Sequence, residues 1–116
     1  MKLYLAGPMR GIPEFNFPAF RAAAAQLRSQ GYEVFNPAER DNERHGCDIS
    51  IGNVHGDEKL ASEQHGFNLR VALGDDLAYI CKEADGIAML PGWEKSKGAT
   101  AERATAIALG LEVIEL

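Results

Sequence analysis

The sequence predicts an α/β fold, a doubly wound and mostly parallel sheet of four or five strands with helices on both faces, in the flavodoxin- or Rossmann-like manner. Three observations carry this expectation. Short apolar runs of strand type alternate along the chain with segments of helical periodicity. Gly and Pro mark the junctions between them. The 116 residues suit one domain, spanning 1–116, with one core.

Lys2 to Ala6 reads as the first strand, and Gly7-Pro8-Met9-Arg10-Gly11 as the loop that ends it. From Asn16, a helix N-cap with Pro18 in the first turn, the apolar residues Phe17, Phe20, Ala24 and Leu27 recur at helical spacing until Gly31. Tyr32-Glu33-Val34-Phe35 is a second strand, closed by Asn36-Pro37, which completes a right-handed βαβ unit. The stretch from about 39 to 65 is polar and without sustained period, either a lid or binding segment or an irregular surface excursion. A second helix is expected from about Phe67 to Ala84, with Leu73, Leu77, Ile80, Cys81 and Ala84 on one stripe. Gly86 to Leu90 is a buried-type strand ended by Pro91-Gly92. A third helix spans about Lys97 to Leu109, and a last strand Glu112 to Glu115.

Composition narrows the functional classes. The chain is 46% hydrophobic and 25% charged, as in ordinary globular domains, and no apolar run is long enough to span a bilayer. The apolar run after Met1-Lys2 is too brief for a signal peptide. Cys47 and Cys81 stand apart without a CxxC spacing, so reduced thiols and a cytoplasmic location are expected. A net charge of -5 disfavours a nucleic-acid polymer as partner and leaves a small molecule, with no membrane involved. His45, Cys47, His55 and His65 match no zinc spacing, and no metal or other cofactor is expected. Walker, GxGxxG and GxSxG motifs do not occur.

In a sheet of this kind ligands lie outside the carboxyl ends of the strands, so the loops after them are the places to look. On the second helix, Asp75 points away from the apolar stripe, whereas Asp76 lies at its edge between Leu73 and Ile80. Asp76 is then either a salt-bridged or capping carboxylate, or one whose pKa burial raises to that of a proton donor. Glu102 interrupts the apolar row Ala99, Ala106, Leu109 near the start of the third helix. It is either a favourable N-terminal glutamate or a buried acid with small neighbours that admit a substrate. Ser96 is a credible N-cap beside an anion site, and Trp93 is either a base-stacking or a packing residue. Tyr4 is either a strand-end packing residue or an active-site phenol, and Arg10 either an anion contact or a surface arginine.

Taken together, LYLAGPMRG at the start, the helical Asp before the third strand, ADGIAMLPGWE and SKGATAE resemble the nucleoside 2-deoxyribosyltransferase-like superfamily. That group includes 2′-deoxynucleoside 5′-phosphate N-hydrolases, and the likeness is greatest to its small phage-type members of unassigned function. The most specific part is Ser-x-Gly-x-x-x-Glu, ending at Glu102. The resemblance implies a two-step retaining displacement in which Glu102 attacks the anomeric carbon, Asp76 protonates or holds the leaving base, and Tyr4 orients the nucleophile or sugar. It further implies that Gly7, Met9, Arg10, Gly11, Trp93, Ser96 and Gly98 bind the substrate. Base-exchanging members tend to carry Asp at the position of Ser96, whereas the nucleotide hydrolases carry Ser there and Arg at the position of Arg10. This chain therefore leans toward hydrolysis of a nucleoside 5′-monophosphate. The alternatives are base exchange, a nucleotide-binding module without chemistry, and a structural protein. Pairing as a homodimer or higher homo-oligomer is expected, since a small domain gains buried apolar surface that way.

Overall fold

The computed structural model describes residues 1–9, 12–40 and 69–116. They build β1 (Lys2–Ala6), α1 (Phe17–Ser29), β2 (Glu33–Phe35), α2 (Leu69–Lys82), β3 (Gly86–Met89), α3 (Lys97–Ala108) and β4 (Glu112–Glu115). Among the described residues the sheet has four strands in the order β2-β1-β3-β4, every pair parallel. The doubly wound α/β architecture is thus as expected. The stretch 41–68, with His45, Cys47, His55, His65 and Phe67, and the loop residues Arg10 and Gly11, lie outside the described residues.

Side chains alternate between the faces of a strand, and β1 and β3 are apolar on both. Leu3, Leu5 and Ala88 share one core with Phe17, Phe20, Ala24 and Leu27 of α1. Tyr4, Ala6, Ile87 and Met89 share the other with Ile80 of α2 and Ala99 and Ala106 of α3. Among the described residues, α1 and Ala38 of the helical residues 37–40 therefore cover one face, and α2 and α3 the opposite face. Because the chain leaves β1 toward β2 and leaves β3 toward β4, the loops after β1 and β3 part company, and a crevice opens between them.

Some local expectations are corrected. On α2 the buried row is Ala72, Asp76 and Ile80, so Asp76 stands in the middle of the covered face rather than at its edge. Cys81, expected on the apolar stripe, is exposed. The strand β2 gives way to helix at Pro37, where Asn36 Oδ1 accepts from Ala38 N–H at 2.9 Å. Residues 37–40 are therefore helical, not irregular, and a two-pronged contact from Arg28 to Glu39 at 2.7 and 2.8 Å fastens them to α1.

Asn16 precedes α1 as expected, yet its side chain does not cap the helix. A side-chain cap needs extended backbone, and Asn16 is left-handed with φ 61°. Its Nδ2 instead donates to Pro8 O at 3.1 Å, tying the loop after β1 to the start of α1. Glu14 and Phe15 are left-handed too, with φ 54° and 53°, so three consecutive non-glycine residues occupy a region that costs Glu14 and Phe15 about 1–2 kcal/mol each. Glu14 is exposed and no described hydrogen bond uses its side chain, which makes it the place to relieve that cost. Glu14→Gly should raise stability by about 0.5–1 kcal/mol after the entropy that glycine adds to the unfolded chain. Thermal unfolding should show a melting temperature a few degrees higher; a lower one would contradict the left-handed turn.

Candidate functional site

The crevice at the carboxyl ends of β1 and β3 holds a cavity of about 190 Å³. Its polar residues include Tyr4, Asp76, Ser96, Lys97 and Glu102; Met9, Phe15, Phe17 and Leu73 are among its apolar ones. Seven of the sequence-derived positions thus meet in one place: Tyr4 from β1, Gly7 and Met9 from the loop after it, Asp76 from α2, and Ser96, Gly98 and Glu102 from the start and second turn of α3.

Among them Tyr4 is joined directly to Glu102. The Tyr4 hydroxyl donates to Glu102 Oε2 at 2.6 Å, the length of a charge-assisted O–H···O⁻ bond. Both groups are buried, as is Asp76. Burial, followed by the neighbouring acids Glu102 and Asp76, holds the Tyr4 hydroxyl well above its ordinary value, so it remains a proton donor. Its ring is held in place by stacking on Phe35 at 5.6 Å, and Phe35 in turn stacks on Tyr79 at 4.3 Å. Phe35 is the register partner of Tyr4 on β2, which is why two aromatic rings lie side by side on the same face.

Glu102 is the sixth residue of α3, in its second turn. The helix dipole acts mainly within the first turn, so the expected dipole stabilisation of Glu102 is weak and the Tyr4 hydroxyl takes the larger part. The helix itself starts as anticipated: Ser96 Oγ accepts from Ala99 N–H at 3.1 Å. Gly98 follows, and a Cβ there would meet only Ser96 Oγ at 3.9 Å, so the chain's own packing does not require a glycine. Gly7 differs, since a Cβ would fall 2.6 Å from Leu90 Cβ. Its smallness lets the two loops approach beside the cavity.

Trp93 is not brought into the crevice. Its indole N–H donates to Glu115 Oε2 at 3.2 Å, and the Arg103 guanidinium lies over the ring at 4.6 Å. It is a packing residue of the β3–β4 side. Asp85 is structural as well, accepting from Lys2 N–H at 2.8 Å and tying β3 to β1. Arg10 and Gly11 lie outside the described residues. Reasoning from sequence missed Phe15, Phe17, Pro37, Leu69 and Lys97 as cavity residues. Phe15 and Phe20 occupy the N′ and N4 positions of a hydrophobic staple, a signal that was available for Phe15. Among the described residues no group of His, Cys, Asp and Glu is arranged to hold a metal, and no helix is long and apolar enough to cross a membrane.

Removing the Tyr4 hydroxyl deprives a buried carboxylate of a close donor, a change that typically costs about 1–3 kcal/mol. Tyr4→Phe should therefore lower stability by that amount in chemical denaturation, although the ring and its stacking are retained. A Tyr4→Phe protein as stable as the parent would show that the bond to Glu102 carries no net energy.

Comparison with known proteins places the chain in a family. No curated protein and no solved structure matches it at a significant level. A family model described as "Domain of unknown function (DUF4406)" matches residues 1–115, nearly the whole chain, and the protein belongs to that family.

Proposed function

We propose that this protein cleaves the N-glycosidic bond of a nucleoside, or of a (deoxy)nucleoside 5′-monophosphate, through a glycosyl-enzyme on Glu102. The observation that carries the reading is the 2.6 Å bond from the Tyr4 hydroxyl to Glu102 Oε2, in a cavity that Asp76 also lines. A carboxylate held in place by a permanent donor in a cavity is positioned to meet an electrophilic carbon bound there. The resemblance of the Ser-x-Gly-x-x-x-Glu segment to the nucleoside 2-deoxyribosyltransferase-like superfamily supports the same assignment.

In the first step Glu102 Oε1 attacks C1′ and the C1′–N bond breaks, its electron pair passing to the base. Asp76 gives its proton to the departing base nitrogen, so a neutral base leaves. In the second step water attacks C1′, the ester to Glu102 breaks, and Asp76 takes the proton from water. Tyr4 keeps its proton throughout, and its hydrogen bond to Glu102 is strongest whenever the carboxylate is charged. The open backbone at Gly98 and the N–H groups at the start of α3, with Ser96 and Lys97, suit a 5′-phosphate.

The test is release of free base from nucleosides and their 5′-monophosphates, with and without a second base. Release from monophosphates is expected, with Glu102→Ala and Glu102→Gln each losing at least about a thousandfold in kcat while still binding substrate. Release only when a second base is supplied would make the protein a base-exchanging transferase. Tight nucleotide binding without release, or full activity in both variants, would overturn the reading.

A further inference from the structure

Phe15 reaches the cavity through the strained turn at the start of α1. Glu14, Phe15 and Asn16 are all left-handed, and none is glycine. Strain of this kind persists only where surrounding contacts over-determine it, and such places cluster at ligand sites. Here the turn is held by Phe15 N–H donating to Ile12 O at 3.0 Å, and by Asn16 Nδ2 on Pro8 O at 3.1 Å. Phe17 and Phe20, in the ordinary helix that follows, share a core with Phe15 and line the same cavity. What the turn adds to that aromatic wall is a third ring, 6.0 Å from that of Phe17, in the cavity that Asp76 and Glu102 also line.

Met9, whose polarisable thioether suits contact with aromatic rings, lines the cavity as well. The cavity thus combines an aromatic wall with carboxylates. We infer that Phe15 is the specificity-determining contact for the leaving group, packing against the face of a planar heteroaromatic ring while Asp76 serves its edge. This inference rests on the N-glycosidic reading above. It adds that the base is selected through its π-face, by a residue that takes no part in bond making or breaking.

Binding of adenine and of ribose 5-phosphate, each measured by calorimetry, separates the two halves of the substrate without requiring turnover. Phe15→Leu and Phe15→Met keep an apolar side chain of similar bulk but remove the ring, and thermal unfolding checks that each is folded. Adenine should bind about tenfold more weakly to both variants, the scale of one aromatic pair. Ribose 5-phosphate should bind as it does to the parent. Phe15→Tyr, which restores a ring face, should recover adenine binding. Equal weakening of both ligands would make Phe15 a purely structural residue and overturn the inference, as would unchanged adenine binding, whether or not the parent releases base. A parent protein that binds neither ligand and releases no base would overturn the N-glycosidic reading itself, and the role of Phe15 with it.

Discussion

A strand that is paired along both edges and covered on both faces has almost nowhere to place a polar atom. β1 is such a strand, with β2 and β3 beside it, α1 on one side and α2 and α3 on the other. Tyr4 is a polar side chain in its middle, and the hydroxyl reaches Glu102 at 2.6 Å. Much of the crevice follows from that constraint. A buried phenol must give its hydrogen to something, and a buried carboxylate on α3 must receive one, so each makes the other tolerable. Period-two alternation then fixes that Tyr4 faces α2 and α3, while Leu3 and Leu5 face α1.

The neighbouring rings belong to the same solution. The bond from Tyr4 to Glu102 is useful only if the phenol does not swing, and stacking on Phe35, itself stacked on Tyr79, limits that motion. Asp76 comes from the middle of the buried row of α2, so two acids of different elements converge on one phenol. A low-polarity cavity strengthens every electrostatic contact made within it, which is the setting in which small displacements of charge have large effects on rate.

Much of this arrangement is legible in the sequence, because the elements that build it are strongly periodic. β1 and β4 have the bounds expected from their apolar runs, and Ser96 begins α3 as its place before Lys97-Gly98 suggests. Glu102 stands out from sequence because it breaks an alanine-rich row. Asp76 is harder: rotation by 100° per residue sets it at the edge of a stripe defined by leucines, yet the covered row runs through Ala72, a residue too small to signal burial. Trp93 misleads for a different reason. Its position after β3 is compatible with either the crevice or the flank, and only the placement of Arg103 and Glu115 decides between them. The left-handed turn at Glu14 to Asn16 leaves little mark, since glycine, the usual indicator of positive φ, is absent and only Asn16 is of a type that tolerates it.

The position of Trp93 has a practical side. It is the only tryptophan in the chain, and it sits three residues before the cap of α3 with a guanidinium over its ring and a carboxylate on its indole nitrogen. Arg103, which supplies the guanidinium, is the neighbour of Glu102 on the same helix. The molecule therefore carries one indole, outside the crevice but coupled to the helix that forms one of its sides. Any shift of that helix relative to the loop after β3 changes the charge surrounding the indole, and the emission of the unlabelled protein becomes a direct optical record of it.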